Sequence, residues 1–543
     1  MKKLIALLMA LSLLFALTAC GPTDPGVTPG GDVAEYTKTD TAHPERYGGV
    51  LRFAYTGMGS TYDPYGQSSW TTYVWAANVL EAPLALGDDG KVYPLVCDYE
   101  ISEDGKTIKL WVREGVCFSN GTPVTVDDVF ASLKRSGDMI AGTKQYLWDI
   151  LDRYENDGTN LTFYMKEYNI NTVNSVLAQS RPYCGVMPKS ICEKYGTDLI
   201  SDPNDVIGTG PYMLVPAQCE LGTKLTFTRN TKYTICTESP EGNGVASPKY
   251  QYLDGLVFYP ISESNTRTMA LMDGSLDIIE CNNEETFKVA LEPLNKFKMQ
   301  TTQSNGCVYF FFNLTSNAGR PVNDVNLRKA IAACFDYAEL IYATYGDLGT
   351  AYSSPMACGD SYTSSFDKAE YYGANSLELA KKYLAASNYD GTELKLLGNS
   401  YLSIVVEAMR EAGIKCSYST PDNATLVSYA NDPNQDWDII YRTNPLAITS
   451  PADIHSTMYK TWGNKRAEEL IGLLGSQVMN SAESLATWKE LDQLMVDELP
   501  FFVISQMVMG YAMDSNLELN NQSWCRMYWN CYWTNPAEHN NWE

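Results

Sequence analysis

Buried strands alternate with amphipathic helices in the second half of the chain. The segment "VYFFFNLTSNAGRPVNDVNLRKAIAACFDYAELIYATYG" (308–346) places a continuous apolar run before apolar residues at helical spacing. The segments "SLELAKKYLAASNYDGTELKLL" and "IVVEAMREAGIKCSYST" follow, each with a helical pattern before a strand pattern. This alternation is typical of a sheet covered by helices, so it predicts an α/β lobe.

The first half of the chain combines shorter strands with tight turns. "GGVLRFAYTGMGSTYDPYG" (48–66) is a β-rich run that ends in a glycine-rich loop. "EDGK" (103–106) separates two alternating strands and predicts a hairpin. Thr125 stands three residues before Asp128, which predicts a helix that begins with a capping box. Since 543 residues exceed what one core supports, we expect two or three α/β domains.

The N-terminus has the pattern of a signal peptide. Lys2 and Lys3 precede a run of about 16 mostly apolar residues, which is shorter than the roughly 20 residues of a membrane-spanning helix. The junction "LTAC", followed by Gly21, resembles the lipobox of bacterial lipoproteins, in which Cys20 becomes the lipidated N-terminus. Residues 21–45 are rich in Pro, Gly, Thr and Asp and predict a disordered tether. We therefore expect a lipid-anchored protein on the extracytoplasmic face of the cell membrane.

The charge of the chain restricts its partners. A formal net charge of −25 repels nucleic acid and anionic lipid, and no basic stripe interleaved with aromatic residues offsets it. Of the 14 cysteines, 13 remain if Cys20 carries lipid, and no CxxC pair occurs. We interpret them as small buried apolar residues, while local bridges between Cys219 and Cys236 or between Cys525 and Cys531 stay open.

The sequence offers little for catalysis. Its three histidines are His43, His455 and His539, and HExxH, GxSxG and Walker A patterns are missing. We expect no enzyme activity, no metal and no cofactor. A secreted surface hydrolase that uses paired carboxylates is the alternative from another class, because 65 acidic residues are available.

Five segments resemble, in order, family 5 of the bacterial extracellular solute-binding proteins, the dipeptide- and oligopeptide-binding type that serves ABC importers. They cover nearly all of the chain after the tether. The segments are "ISEDGKTIKLWVREGVCFSNGTPVTVDDVFASLKR", "IGTGPY", "YFFFNLTSNAGRPVNDVNLRKAI", "LAKKYLAASNYDG" and "LDQLMVDELPFFVIS".

The resemblance implies a two-lobe α/β fold of the periplasmic-binding-protein type (class II), with an extra small α/β domain on the first lobe. Residues 1–20 would be the lipoprotein signal peptide and 21–45 the tether. Lobe 1 would comprise 46–66, 199–300 and 499–543, the extra domain 67–198, and lobe 2 301–498, with a hinge near Gln300 and Leu499.

The resemblance also implies a function. The chain would be a monomer that captures a peptide or similar polar solute between its lobes and delivers it to ABC permease subunits, which work with a separate ATPase. The same role for an oligosaccharide or another non-peptide solute is the alternative, and nickel is disfavoured because histidine is scarce.

Glycines, aromatic rings and hydrogen-bond donors are the candidate solute contacts. Gly57 in the loop "TGMGSTYDP" permits close approach of a ligand to the backbone. The segments "SSWTTYVW" and "SWCRMYWNCYW" place rings among polar residues, as the wall of a binding cleft does. The predicted ligand-binding residues are Gly57, Met58, Tyr62, Trp70, Arg442, Asn444, Trp524 and Tyr528.

The stretch after "DWDII" departs from the pattern of peptide-binding family members. Those members carry an Asp that accepts the α-ammonium of the peptide, whereas pairing Pro451 with the family proline puts Ala447 at that position. No carboxylate occurs between Asp438 and Asp453, and Arg442 is the only cation there. Arg442 and Asn444 offer donors that suit a carboxylate, a carbonyl-rich solute or sugar hydroxyls, and Asp453 remains an alternative partner for an amine.

Overall fold

The computed structural model describes most of the chain from Asp40, which lies within the predicted tether and accepts a hydrogen bond from the Tyr252 hydroxyl. The described residues are 40–65, 70–179, 185–281, 284–317, 319–356, 360–421, 423–445, 450–454, 461–519 and 527–542. None of the helices in these ranges combines the length and the apolar character that crossing a membrane requires.

Within the described residues, twenty strands form one large sheet and three small ones. They are β1 (Val50–Tyr55), β2 (Leu84–Leu86), β3 (Val92–Pro94), β4 (Cys97–Ile101), β5 (Thr107–Val112), β6 (Leu151–Asn156), β7 (Asn160–Met165), β8 (Ala178–Gln179), β9 (Tyr212–Leu214), β10 (Leu225–Arg229), β11 (Gly255–Pro260), β12 (Ile278–Glu280), β13 (Phe297–Phe312), β14 (Thr350–Ala351), β15 (Leu394–Leu397), β16 (Cys416–Ser419), β17 (Ile439–Pro445), β18 (Phe501–Asp514), β19 (Leu517–Glu518) and β20 (Tyr532–Trp533). The large sheet has the strand order β16-β15-β17-β13-β18-β12-β1-β11-β10-β9, with β14 attached to β18.

The helices of at least seven residues surround these sheets. They are α1 (Trp70–Ala76), α2 (Val126–Met139), α3 (Lys189–Tyr195), α4 (Ser264–Asp273), α5 (Glu284–Ala290), α6 (Val325–Ala333), α7 (Tyr337–Tyr345), α8 (Leu377–Ala385), α9 (Leu402–Glu411), α10 (Asn423–Asn431), α11 (Lys465–Ser476) and α12 (Ala482–Glu498). Among them, α6 and α8 correspond to the amphipathic patterns that predict an α/β lobe.

Two long antiparallel strands, β13 and β18, hold the large sheet together. They pair from Phe297 opposite Asp514 to Phe311 opposite Phe501, and their register shifts between Gln303 and Cys307. We call residues 303–307 and 505–510 the crossover, because the sheet passes there from one packed core to another. Such an irregularity bends a strand and changes the direction of the side chains that follow.

On one side of the crossover the sheet forms lobe 1. Here β1 lies parallel to both β11 and β12, while β10 and β9 extend the sheet in antiparallel fashion. The core of this lobe gathers side chains from distant parts of the chain, including Phe53, Phe258 and Trp533. Because these residues are far apart in the sequence, lobe 1 forms only when both ends of the chain have docked.

On the other side lies lobe 2, the α/β region that the alternation predicts. Strands β15, β16 and β17 are parallel to one another, and β17 is antiparallel to β13. Its core contains the run Phe310, Phe311 and Phe312, all fully buried. An entirely apolar strand is stable here because helices cover both faces of the sheet.

A third core belongs to a four-stranded antiparallel sheet, β4-β5-β7-β6, packed on α2. The hairpin predicted at "EDGK" joins β4 to β5, and Gly105 has the positive φ of 67° that this turn requires. Helix α2 begins with the predicted capping box, in which Thr125 and Asp128 bond each other's backbone N–H. The domain boundaries that the resemblance implies, and the hinge near Gln300 and Leu499, stay predictions.

Arg328 lies deeper than its sequence position suggests. The spacing of Asp324 and Arg328 is that of an ion pair on a helix surface. In the structure Asp324 caps α6, accepting from Asn326 N–H at 2.8 Å, while Arg328 is 4% exposed. Its guanidinium donates to backbone carbonyls, among them those of Val322 and Leu499 at 2.7 and 2.9 Å. The pair therefore supports the scaffold, but not as a surface ion pair.

The ten cysteines in the described ranges are all free thiols. Eight are buried, and Cys117 and Cys219 are partly exposed. Cys219 and Cys236 are not bridged: both are free thiols, and the Sγ atom of each donates to a different backbone carbonyl. The second possible bridge includes Cys525, which lies outside the described residues. The interpretation as small buried residues is confirmed for those eight.

Candidate functional site

The carboxyl ends of the parallel strands of both lobes are directed at the crossover. In lobe 1, Glu280 at the end of β12 is paired with Tyr511, one residue from the crossover. In lobe 2, Pro445 at the end of β17 is paired with Gly306 inside it. Ligands of open α/β sheets bind outside the carboxyl ends of strands where the strand order changes. The crossover is therefore the place where the fold positions a binding site.

The glycine-rich loop after β1 supplies the lobe 1 side of this site. Gly57 is half-buried, and Gly59 has a φ of 84° that only glycine adopts readily. Met58 is 2% exposed, its carbonyl accepts from Trp75 Nε1 at 3.2 Å and its sulfur from Gly222 N–H at 3.1 Å. The contacts of Met58 thus fix the loop to the rest of lobe 1, while Gly57 stays partly exposed.

Several aromatic side chains predicted to contact the solute lie inside the lobe 1 core. Tyr62 is 5% exposed and its hydroxyl donates to the Cys219 carbonyl at 3.3 Å. Tyr528 is 2% exposed and its ring packs 4.5 Å from that of Phe53. The structure thus places Met58, Tyr62 and Tyr528 among packed side chains, and direct contact of these three with a solute stays a prediction.

Arg442 supplies the lobe 2 side of the site. It lies on β17 directly opposite Tyr309 of β13, three residues before the strand ends at the crossover. Opposite residues of an antiparallel pair point to the same face, so the guanidinium and the phenol are neighbours. Burial raises the pKa of Tyr309, and the positive charge of Arg442 acts in the opposite direction.

Polar groups also line the other face of β17. The Tyr441 hydroxyl is 3.4 Å from Thr344 Oγ1 at the end of α7, and burial raises the pKa of Tyr441 to about 12. Burial likewise raises the pKa of Tyr345. These phenols are therefore neutral at physiological pH and can act as hydrogen-bond donors. The sequence did not single out Tyr309 or Tyr345. The strand register reveals the place of Tyr309 beside Arg442, while Tyr345, at the end of α7, lies near Tyr441 and Thr443 on the other face of β17.

The acidic residues that precede β17 are already paired. Asp438 is 3.2 Å from Arg320, and Asp436 contacts Lys395. Both lie at the start of the strand, away from the crossover. The stretch without acidic residues therefore begins with β17, which runs toward lobe 1. Arg442 is the one Lys or Arg in that stretch of the sequence.

The described ranges do not include every predicted site residue. Cys20 and Trp524 lie outside the described residues, as does Ala447. For Trp70 and Asn444 the structure gives the backbone alone: Trp70 begins α1 and Asn444 lies opposite Cys307. The proposed roles of all these residues stay predictions.

The titratable groups described so far do not form a catalytic arrangement. The side chains that hydrogen-bond the two described histidines, His43 and His539, are Glu45 and Asn535. Within the described ranges, no group of three His, Cys, Asp or Glu side chains is arranged to hold a metal ion. The candidate site instead offers the partly exposed Arg442 and the half-buried backbone at Gly57, which can bind a polar solute.

Comparison with known proteins agrees with a site that binds a solute. Residues 91–466 match the bacterial extracellular solute-binding proteins, family 5 Middle. Among curated relatives, the probable peptide ABC transporter periplasmic-binding protein y4tO of Sinorhizobium fredii is 23% identical over 492 residues, covering 84% of this chain and 88% of the relative. The glutathione-binding protein GsiB of Escherichia coli K12 is 22% identical over 370 residues, covering 67% and 68%.

Solved structures show the same fold. The substrate-binding protein CtaP of Listeria monocytogenes superimposes with a TM-score of 0.72 at 21% identity, covering 90% of this chain and 100% of that one. DppA of Helicobacter pylori, in complex with peptide STSA, gives 0.71 at 16% identity, covering 91% and 99%. AppA of Bacillus subtilis, in complex with a nonapeptide, gives 0.66 at 19% identity, covering 88% and 97%. The predicted two-lobe α/β fold is confirmed.

The family match spans well over half of the chain and includes α2, most of the large sheet and Arg442. It agrees with the resemblance carried by the sequence segments and with a site built for binding. The chain belongs to family 5 of the bacterial extracellular solute-binding proteins.

Proposed function

We propose that this chain is the substrate-binding lipoprotein of an ABC importer and that it captures a peptide or a similar polar solute at the crossover. The observation that carries the proposal is the convergence of the strand ends of both lobes on one polar edge, within a chain of this family. Peptide is favoured because relatives are named for a peptide and for glutathione. A binding protein of this kind performs no catalysis of its own.

The proposed mechanism is closure of the two lobes on the solute. A ligand favours the closed form to the extent that it contacts both lobes. Gly57 follows β1 of lobe 1 and Arg442 lies on β17 of lobe 2, so a solute held between the lobes would contact both. The loaded protein would then dock on permease subunits, while a separate ATPase supplies the energy.

The anchor is part of the same proposal. Cys20 would carry the lipid, and residues 21–45 would tether the lobes to the extracytoplasmic face of the membrane. Acyl chains contribute about 0.8 kcal/mol per buried methylene, so the anchor holds a protein whose net charge of −25 disfavours contact with anionic lipid. We further propose that the protein acts as a monomer.

One experiment tests both parts. The full chain and its Cys20→Ser variant are expressed in a bacterial host, and each is tested by thermal melting with a pool of tetrapeptides and with a pool of malto-oligosaccharides. We expect the wild type in the membrane fraction and the variant in the soluble extracytoplasmic fraction. Both should be stabilised by peptide, by about 2.7 kcal/mol at 100 times the dissociation constant.

Other outcomes separate the alternatives. Stabilisation by the oligosaccharide pool alone would support the non-peptide solute. Steady formation of cleavage products from either pool would contradict a pure binding function and support the hydrolase. Equal membrane association of wild type and Cys20→Ser would contradict the lipid anchor.

A further inference from the structure

Arg442 occupies an unusual position for a cation. It lies within the lobe 2 sheet, between the fully buried Tyr309 opposite and the buried Tyr441 before it. The strand then continues for three residues and ends at the crossover. The guanidinium is therefore carried by a rigid strand that leads from the lobe 2 core to the other lobe.

The Arg442 side chain is only partly satisfied. Its Nε is buried and has no hydrogen-bond partner, and no ion pair joins its guanidinium to another residue in the described ranges. Arg320 Nε is likewise buried without an acceptor, but the guanidinium groups of Arg135 and Arg320 each reach a buried carboxylate, Asp63 and Asp438. A buried donor without an acceptor costs about 1–3 kcal/mol, and more when it is charged. The protein thus keeps an unfavourable group at its candidate binding site.

We propose that Arg442 binds a carboxylate of the solute. This inference rests on the function proposed above and narrows the class of solute. A guanidinium presents parallel N–H donors that match the two oxygens of a carboxylate. A sugar hydroxyl or a carbonyl would satisfy the Nε donor but would leave the charge without compensation. An anion satisfies both, so the partly buried guanidinium, whose Nε is inaccessible to water, selects for it.

The surroundings favour an anion over an ammonium group. The two acids that precede β17 are paired with Lys395 and Arg320, and the sequence has no further acid until Asp453. The phenols of Tyr309 and Tyr441 have raised pKa values and are neutral donors at physiological pH. In a chain with a net charge of −25, this edge of lobe 2 is therefore suited to a negative group.

The carboxylate can come from the C-terminus of a peptide or from an acidic side chain, and the test separates these sources. Three tetrapeptide pools are used. The first contains no Asp or Glu and has free termini, the second is the same pool amidated at its C-termini, and the third is amidated but includes Asp and Glu. Each pool is passed over immobilised wild type and Arg442→Gln, and the captured peptides are quantified by mass spectrometry.

We expect wild type to capture the first pool about 10-fold or more over the second, because the second lacks every carboxylate. Capture of the third pool would assign the carboxylate to an acidic side chain as well. Arg442→Gln should capture about 10-fold less of the first pool than wild type, or less still. Arg442→Lys keeps the positive charge but not the two parallel N–H donors, so its capture should lie between those of Arg442→Gln and wild type.

A matched control and a folding measurement accompany the capture. Arg466→Gln removes an exposed guanidinium of the same lobe, which pairs with Glu490, and should capture as wild type does. Without ligand, Arg442→Gln should melt at or above the wild-type temperature, because the substitution removes a buried Nε donor that has no acceptor. A lower melting temperature would show that Arg442 has a structural partner and would overturn the inference.

The remaining outcomes distinguish this inference from the proposed function. Equal capture of the first two pools by wild type, or undiminished capture by Arg442→Gln, contradicts the carboxylate assignment and leaves peptide binding intact. Capture of no pool contradicts peptide binding and this inference with it.

Discussion

Buried charges in this protein differ in how completely they are compensated. Asp63 and Arg135 have side chains that are 0% and 2% exposed, and Arg135 Nη1 donates to Asp63 Oδ1 at 3.3 Å. Arg135 also donates to the Gly196 carbonyl, and Asp63 accepts from Tyr65 N–H, both at 2.8 Å. This ion pair joins α2 to the loop after β1. It therefore fixes α2, and the four-stranded sheet β4-β5-β7-β6 that packs on α2, to lobe 1. Arg442, which pairs with no carboxylate in the described ranges, stands in contrast.

The first prediction concerns this compensated pair. Arg135→Met leaves Asp63 as a buried carboxylate without its cation, which costs about 3–5 kcal/mol of the free energy of unfolding. Urea denaturation of wild type and variant, followed by tryptophan fluorescence, measures the difference.

The double variant Asp63→Asn/Arg135→Met is the control. Because it removes both charges, it should lose less stability than Arg135→Met alone. A single variant within about 1 kcal/mol of wild type would show that the pair is no more than a surface-type contact.

The acid-free stretch in the sequence was enough to single out Arg442, since charge can be read without coordinates. Burial could not be read in the same way. Met58, Tyr62 and Tyr528 stand among polar residues in the sequence, yet they pack in the lobe 1 core because distant segments fold over them. Arg328 is similar: its acceptors at Glu498 and Leu499 lie about 170 residues away.

At the scale of secondary-structure elements, the crossover strands depend on close backbone approach. Gly510 of β18 accepts a hydrogen bond from Cys281 N–H at 2.7 Å. A Cβ atom at Gly510 would collide with the carbonyl oxygen of Cys281, which is backbone and cannot swing aside. Glycine is therefore required where β18 meets the end of β12.

The second prediction follows from this contact. Gly510→Ala should lower the free energy of unfolding by about 1–3 kcal/mol, as other overpacked sites do, and should weaken peptide binding because the two lobes share this strand. Urea denaturation and peptide-pool capture measure the two effects.

Gly472→Ala is the control, because Gly472 has free space around it where Gly510 has none. Gly472 lies in α11 with nothing within 4 Å of an added Cβ, so alanine should stabilise the protein by about 0.5–1 kcal/mol and leave capture unchanged. Stabilisation by both substitutions would contradict the account of the crossover.

Local elements were predictable from the sequence, because their signals lie within a few residues of one another. The "EDGK" hairpin and the Thr125 capping box are examples. The pairing of β13 with β18 was not predictable from pattern alone, since about 200 residues separate the two strands and their apolar runs would fit several sheet positions. The resemblance to a family implied only a hinge near Gln300 and Leu499, without the pairing or its register.

At the scale of the whole molecule, one sheet passes through both lobes by way of β13 and β18. Two strands with an interrupted register can bend, whereas each lobe is held by its own core. We therefore expect closure to be a rotation of the lobes about the crossover, as in hinged binding proteins. A solute that contacts 55–60 in lobe 1 and 442–445 in lobe 2 would stabilise the closed form.

Hydrogen–deuterium exchange of the ligand-free protein, with and without the tetrapeptide pool with free termini, tests capture between the lobes most directly. We predict that the peptide pool slows amide exchange in 55–60 and in 439–445 together, because both segments border the same solute. Slowing confined to one lobe, or no change in either segment, would contradict the account.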